Sequence, residues 1–237
     1  MIAQGSIRSE GTITNWYEKL PKNTGSGFKR DKTFKLHQIE PCSMIVCIGG
    51  TGKGKTNSVI DFISKKQNSF CDILIYSGST TDEPLYQMLQ SRIPETKLFN
   101  NIHEFPELQS FEDDKANEKL VIFDDFINLN TKEMKKINEY LTAGRKFGFT
   151  IFCLGQNYRS IPKTVTRNAH YFFIYQLNDK ATINNILKNH NIHDIDKDLF
   201  KQFYQESTNE NLNFFLIDLK NGKTHLRHNW DKILLSK

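Results

Sequence analysis

Residues 49–56 constrain this chain more than any other stretch, because they read GGTGKGKT and fit the phosphate-binding pattern GxxxxGK[ST]. Glycines allow backbone N–H groups to turn inward around a phosphate, since no Cβ obstructs them. In such a loop Lys55 reaches the β- and γ-phosphates, and the hydroxyl of Thr56 holds Mg²⁺. The helix that starts here directs the positive end of its dipole at the same anion. The loop therefore predicts binding of a nucleoside triphosphate, with ATP as the expected nucleotide.

The segments on either side of the loop support this interpretation. An apolar run of strand length precedes it at 43–48, and apolar residues at roughly helical spacing follow it over 57–66. A strand, a glycine-rich loop and a helix in this order are what a phosphate-binding loop requires. The predicted nucleotide-binding residues are Gly49, Gly50, Thr51, Gly52, Lys53, Gly54, Lys55, Thr56 and Asn57.

A second motif lies at 120–125, where an apolar run ends in two carboxylates and reads LVIFDD. In nucleoside triphosphatases a carboxylate at the end of such a strand binds Mg²⁺, directly or through water, so Asp124 joins Thr56 as a predicted metal ligand. Asp125 occupies the next position, from which a carboxylate can orient the attacking water or accept its proton. Aspartate has a shorter reach than the glutamate that many hydrolytic ATPases have here. A strand that ends in a solvated acidic turn is the alternative interpretation.

Strand-like and helix-like segments alternate along the chain, without an internal repeat. Further strands are predicted at 72–76, 150–154 and 171–175, and helices at 82–90, 130–146, 181–189 and 194–206. Residues 100–119 read mostly as loop and acidic surface. Near the C-terminus, Asn221 and Gly222 lie between two strand-like runs and predict a two-residue hairpin.

This alternation predicts an α/β fold of the P-loop NTPase type. The expected architecture is a three-layer α/β/α sandwich with a mainly parallel central sheet and a C-terminal β-hairpin. Ligands of such sheets bind where the strands end. A length of 237 residues suits one large domain, which we place at 36–237, preceded by a basic N-terminal arm at 1–35.

Polar residues near the predicted strand ends are the next candidates. Gln156 follows the strand at 150–154, and an amide there can contact the γ-phosphate or the attacking water. Arg145, Arg159 and Arg167 are candidates for an arginine that neutralises charge on the γ-phosphate of a neighbouring subunit, with Arg145 preferred. The alternative for each arginine is a surface charge or an ion pair.

Composition adds weaker constraints. The chain has 32 Lys and Arg against 27 Asp and Glu, a net charge of +5, which permits contact with nucleic acid without requiring it. Basic residues are grouped in the arm and along 132–146, where contacts to DNA phosphates would be independent of sequence and sensitive to salt. A solvated helix face and a flexible tail are the alternatives.

The cysteines and the hydropathy pattern indicate where the chain works. Cys47, Cys71 and Cys153 lie in or beside apolar runs and form no CxxC pair, which predicts buried thiols in a reducing compartment. We also expect no transmembrane helix and no signal peptide, because no apolar run approaches the required length.

These motifs together resemble the FtsK/HerA-type pumping ATPases. The loop fits the form GxTGxGK[ST], and residues 143–162, AGRKFGFTIFCLGQNYRSIP, are similar to the segment in which the strand after the acidic motif ends in glutamine. The pair Asp124 and Asp125, and Arg167-Asn168-Ala169 before an apolar strand, look most like the poxvirus-type virion packaging ATPases of large DNA viruses and virophages. The resemblance covers about residues 42–175.

The resemblance implies a ring-shaped homo-oligomer that pumps double-stranded DNA into a preformed capsid, with a capsid or portal protein as partner. By position, Lys55 and Thr56 would hold the phosphates and Mg²⁺, and Asp124 the Mg²⁺. Asp125 would act on the attacking water, Gln156 would be the sensor, and Arg145 would serve a neighbouring subunit. The expected location is the virion or the host cytoplasm.

Three other functions compete with genome packaging. A hexameric DNA helicase would unwind a forked substrate. A small-molecule kinase would transfer phosphate to a nucleoside, and needs an acceptor pocket that the sequence does not indicate. A non-enzymatic virion component would bind nucleotide only as a structural element, although the intact Lys55, Thr56 and Asp124 argue against it.

Overall fold

The computed structural model describes residues 28–66, 69–78, 83–126, 129–179, 181–190, 192, 195–220 and 225–233. The strands are β1 (Met44–Ile48), β2 (Asp72–Ser77), β3 (Thr96–Phe99), β4 (Lys119–Asp124), β5 (Phe149–Gly155), β6 (Tyr171–Ile174), β7 (Phe215–Asp218), β8 (His225–His228) and β9 (Lys232–Ile233). The α-helices are α1 (Phe34–His37), α2 (Lys55–Lys66), α3 (Pro84–Arg92), α4 (Thr131–Ala143), α5 (Lys163–Asn168), α6 (Ala181–Asn189) and α7 (Lys197–Ser207). Two 3-10 helices lie wholly within the described residues, at Leu108–Asp114 and Gly144–Phe147.

The described strands form one sheet in the order β3-β2-β4-β5-β1-β6-β7-β8-β9. The first six strands of this order pair in parallel, and the last three pair antiparallel. The parallel strands all end at one side of the sheet, which we call the carboxyl edge, and begin at the other, the amino edge. The prediction of a mainly parallel sheet is confirmed.

Helices cover both faces of this sheet. Along β1, Ile45 and Cys47 face a core formed with α2 and α3, whereas Val46 and Ile48 face a core formed with α4, α6 and α7. This alternation of buried side chains is expected for a strand that is covered on both faces. The predicted three-layer α/β/α sandwich is therefore confirmed.

The local predictions hold for most elements, with shifts at their ends. The helix predicted at 130–146 begins with the expected capping box. The side chain of Asn130 accepts from the backbone N–H groups of Lys132 and Glu133, and the carboxylate of Glu133 accepts from the N–H of Asn130. Its α-helical part ends earlier, at Ala143, and continues as the 3-10 helix to Phe147. Strands β7 and β8 confirm the C-terminal hairpin, whose predicted turn lies outside the described residues.

The structure differs from the sequence analysis in two places in this part of the fold. Strand β3 lies in a stretch that the sequence left unassigned, because it has only four residues and is the edge strand of the sheet. Cys71 is exposed, whereas Cys42, Cys47 and Cys153 are buried. The reason is that Cys71 precedes β2, at the amino edge, where solvent reaches the chain before the strand enters the core.

The described part of the predicted basic arm contacts the domain. Asp31 pairs with the buried ammonium of Lys66 at 2.7 Å, and Lys66 also pairs with Glu118 at 2.8 Å. The remainder of the arm, residues 1–27, lies outside the described residues, and the boundary at residue 35 stays a prediction. Within the described residues, no helix combines the length and the apolar character needed to cross a membrane.

Candidate nucleotide-binding and hydrolysis site

The phosphate-binding loop connects β1 to α2 at the carboxyl edge, as the sequence predicts. The backbone N–H of Gly49 donates to the carbonyl oxygen of Gly155 at 3.2 Å, which attaches the start of the loop to the end of β5. The ammonium of Lys55 donates to the carbonyl oxygens of Gly49 at 2.7 Å and Gly50 at 2.9 Å. Burial lowers the pKa of Lys55, and the carboxylates of Asp124 and Asp125 oppose this shift. The lysine charge therefore lies inside the curve of the loop and near both acidic residues.

The helix end of the loop is covered by the segment between α7 and β7. Gly54 has a φ of +101°, and a Cβ there would come within 2.9 Å of the Cα of Leu212. A side chain at this position would be both strained and obstructed. Leu212 itself has a φ of +70° and is 47% exposed. The sequence gives no signal for this contact, because Leu212 lies in a polar segment more than a hundred residues away.

Asp124 ends β4 in register with Ser77 of β2 and Leu154 of β5. The hydroxyl of Tyr86, on α3, donates to Oδ2 of Asp124 at 2.8 Å. Burial raises the pKa of the Asp124 carboxyl, and the bond from Tyr86 and the charge of Lys55 oppose this rise. The hydroxyl of Thr56 and the carboxylate of Asp124 provide the oxygen ligands that Mg²⁺ prefers, so both side chains fit the predicted metal.

Asp125 has a φ of +53°, in the left-handed region that residues other than glycine rarely adopt. The end of β2 supports this conformation, because the N–H of Gly78 donates to the carbonyl oxygen of Asp124 at 2.9 Å. Backbone conformations of this kind cost of order 1–3 kcal/mol and are concentrated at functional sites. With this conformation Asp125 does not continue β4, so its side chain does not follow the alternation of side chains along that strand.

A cleft of about 470 Å³ lies beside the loop. Gly50, Thr51 and Lys53 line one side, and Gln156, Asn157 and Asn178 line the other. Lys53 donates to the side-chain oxygen of Gln176 at 2.7 Å, which ties the loop to the end of β6. The structure therefore brings exposed Gln156 to the same cleft as the loop, in agreement with its predicted place at the carboxyl edge.

The arginines are distributed differently from the expectation. Arg145 is exposed in the 3-10 helix directly before β5. Burial lowers the pKa of His170, which directly precedes β6, and the nearby charge of Arg145 adds to this shift. Arg145 therefore lies at the amino edge, and the expectation that it lies near the carboxyl edge is wrong, because α4 carries the chain back across the sheet. Arg167 also lies at the amino edge, because it is on α5, which returns the chain to the start of β6. Arg159, three residues after Gln156, is exposed at the carboxyl edge.

Comparison with known proteins identifies the family of this chain. The model of the family described as Poxvirus A32 protein matches residues 28–218. The chain belongs to the poxvirus A32 family. This membership confirms the resemblance to the poxvirus-type packaging ATPases. With the loop and the acidic pair in place, this A32-family chain is a P-loop ATPase. No curated protein sequence matches the chain.

Solved structures share the fold. B204, the DNA-packaging ATPase from Sulfolobus Turreted Icosahedral Virus, is 15% identical with a TM-score of 0.55, over 79% of this chain and 98% of that one. B204 from Sulfolobus turreted icosahedral virus 2, in complex with sulfate, is 16% identical with a TM-score of 0.58, over 80% and 96%. EssC (ATPases 2 and 3) from Geobacillus thermodenitrificans is 12% identical with a TM-score of 0.52, over 81% of this A32-family chain and 38% of EssC.

Proposed function

We propose that this A32-family protein is a ring-forming motor that hydrolyses ATP and translocates double-stranded DNA into a viral capsid. The observation that carries the proposal is the convergence of Lys55, the carboxylates of Asp124 and Asp125, and Gln156 at one edge of the sheet. Two similar folds support it, since one is named as a DNA-packaging ATPase and a second was solved in complex with ATP-gammaS.

Each residue has a distinct part in this proposal. The N–H groups of residues 49–57 bind the phosphates, and Lys55 moves from the loop carbonyls to the β- and γ-phosphates. Thr56 and Asp124 would hold Mg²⁺, which supplies charge neutralisation on the phosphates when it is bound. The carboxylate of Asp125 orients the attacking water and accepts its proton, while the amide of Gln156 contacts the γ-phosphate across the cleft.

The position of Arg145 supports the proposed ring. In a head-to-tail ring each subunit uses one face toward one neighbour and a different face toward the other. Arg145 lies at the edge of the sheet opposite its own nucleotide site, so it is suited to act on the site of a neighbouring subunit. An arginine supplied in this way stabilises the charge of the transition state.

Contacts to DNA would use exposed lysines and would not depend on its sequence. Lys132, Lys135 and Lys146 are exposed, and none has an ion pair within the part of the chain that the structure describes. Lys136, by contrast, pairs with Glu107 at 2.7 Å and donates to the carbonyl oxygen of Phe105, so it is the least available lysine of this helix. The capsid or portal protein would hold the ring in the virion or in the host cytoplasm.

Steady-state ATP hydrolysis with and without linear double-stranded DNA tests the proposal. We expect duplex DNA to stimulate hydrolysis, and added salt to reduce that stimulation because phosphate contacts release counterions. Lys55→Ala should abolish turnover in both conditions. Hydrolysis that is indifferent to DNA would contradict translocation and leave an ATPase with another partner. Unwinding of a forked duplex would instead favour a helicase.

A further inference from the structure

A tyrosine outside the predicted motifs lies between the two predicted metal ligands. Tyr86 is fully buried on α3, and its hydroxyl donates to Oδ2 of Asp124 at 2.8 Å. The side chain of Thr56 lies beside the same phenol. Tyr86 therefore contacts the acidic motif and the end of the phosphate-binding loop at once, although the three residues are far apart in sequence.

The hydrogen bond leaves one carboxylate oxygen available. A carboxylate has two oxygens that accept hydrogen bonds or bind metal, and Tyr86 occupies only Oδ2 of Asp124. Tyr86 is fully buried, so its hydroxyl is held in place, and its bond to Oδ2 fixes the rotation of the Asp124 side chain.

We propose that Tyr86 is a positioning residue that holds Asp124 with its second oxygen directed at Mg²⁺ bound beside Thr56. The inference rests on the proposed function, because it concerns the metal of the same site. It extends that function to α3, since the Mg²⁺ affinity of the site then depends on how α3 packs against α2 and β4. Removal of a residue that orients a ligating carboxylate through a hydrogen bond commonly changes metal affinity by about 10- to 100-fold.

Tyr140 offers a matched control. It is also a fully buried tyrosine, and its hydroxyl donates to the backbone carbonyl oxygen of Pro106 at 3.1 Å. It lies on α4, which packs on the opposite face of the sheet from α3. Tyr140→Phe therefore removes a comparable buried hydrogen bond without touching the predicted metal ligands, whereas Tyr86→Phe removes the bond to Asp124 and keeps the ring.

Calorimetric titration with ADP, carried out once in Mg²⁺ and once in EDTA, measures how much Mg²⁺ increases the affinity for ADP. The measurement requires no turnover. For Tyr86→Phe we expect ADP binding in EDTA to stay within about twofold of wild type, and the Mg²⁺ concentration for half-maximal tightening to rise about tenfold. Electron paramagnetic resonance of Mn²⁺ in the ADP complex provides a second readout, in which the same variant should hold the ion more weakly. Tyr140→Phe should match wild type in both measurements.

Four outcomes would overturn the inference. An unchanged Mg²⁺ dependence in folded Tyr86→Phe, or tighter Mg²⁺ binding, would show that the phenol does not position Asp124 or that it competes with the metal. If Tyr86→Phe changes the Mg²⁺ dependence of ADP binding equally in the wild-type protein and in Asp124→Asn, Tyr86 does not act through Asp124. Absence of any Mg²⁺ effect in the wild-type protein would also overturn the proposed function, whereas the first three results would leave it intact.

Discussion

The backbone of Asp125 lies directly against Gly78: a Cβ on Gly78 would come within 2.2 Å of the carbonyl oxygen of Asp125. The contact joins the end of β2 to the turn that follows β4. Because the N–H of Gly78 also donates to Asp124 at 2.9 Å, this glycine supports the peptide units of both acidic residues. The two carboxylates are therefore presented on a backbone that β2 holds in place.

Substitution of Gly78 by alanine should reduce ATP turnover more than it reduces nucleotide binding. The added Cβ must displace the backbone of Asp125, and a small misplacement at a reacting centre can cost about 100-fold in rate. We expect the turnover number to fall by about tenfold or more while the affinity for ADP stays within about threefold of wild type. Steady-state kinetics and calorimetric titration on the same preparation measure both quantities.

Gly144→Ala is the matched control for this substitution. Its Cβ would meet the end of the Ile151 side chain at 3.3 Å and the Cβ of Phe149 at 3.5 Å, and no backbone atom, and it lies at the amino edge. Its turnover should remain close to that of wild type. Equal losses in the two variants would mean that general destabilisation, rather than displacement of Asp125, explains the effect.

Substitution of Asp125 by asparagine should remove the negative charge and keep the backbone conformation. Asparagine tolerates the left-handed region that Asp125 occupies at a φ of +53°, so the fold should be preserved. Loss of a general base typically lowers the rate by about 10²–10⁴-fold, and we expect a decrease of that order in ATP turnover. Single-turnover hydrolysis at saturating ATP measures it. Near-normal turnover would assign the attacking water to another residue.

Features that depend on neighbouring residues could be predicted from the sequence, and those that depend on distant contacts could not. The loop at 49–56, the capping box at Asn130 and the alternating elements are local patterns, and the structure has all three. Tyr86 and Leu212 reach the site only through packing of α3 and of the segment before β7, so no local pattern marks them.

The order of the predicted elements places Arg145 at the amino edge, so the sequence itself contradicts the expectation that Arg145 lies near the carboxyl edge. A helix that connects two parallel strands must return the chain to the edge where the next strand begins. The predicted helix from 130 to 146 joins two predicted strands, so its last residues belong at the amino edge. The same rule places Arg159, which follows a strand, at the carboxyl edge, where the structure has it.

Mixing two inactive variants should restore activity if Arg145 acts on a neighbouring subunit. Lys55→Ala lacks a working site but keeps its arginine, whereas Arg145→Ala keeps its site but lacks the arginine. In randomly mixed rings about a quarter of the interfaces combine an intact site with an intact arginine. We therefore expect mixtures, measured by steady-state hydrolysis, to recover about that fraction of wild-type turnover.

The same mixing experiment with Arg159→Ala distinguishes the two arginines. Recovery with Arg159→Ala and none with Arg145→Ala would transfer the role to Arg159. If Arg145→Ala alone retains full turnover in the assembled ring, Arg145 has no part in hydrolysis.

The stability of the fold should decrease as the pH falls from 6.5 to about 4, because the folded protein keeps two histidines neutral, buried His37 and half-buried His170. Burial lowers the pKa of His37 and of His170 from 6.5 to about 4. The unfolded chain binds protons at both positions below pH 6.5 and the folded chain does not, so acid favours unfolding in this window. The stability is fully present above pH 6.5, and its loss should reach about 2–3 kcal/mol for His37.

His37→Asn isolates one of these two contributions. Nδ1 of His37 accepts a hydrogen bond from the N–H of Ile39 at 3.0 Å, and an asparagine oxygen can accept the same bond from a residue two positions ahead. The variant should be less stable at neutral pH, since His37 also packs edge-on against Phe62. Its free energy of unfolding, from urea titrations between pH 7 and pH 4, should nevertheless change less with pH than that of wild type. Replacement of exposed His103 by asparagine is the control, and a pH dependence in His37→Asn equal to that of the control would exclude His37 as its source.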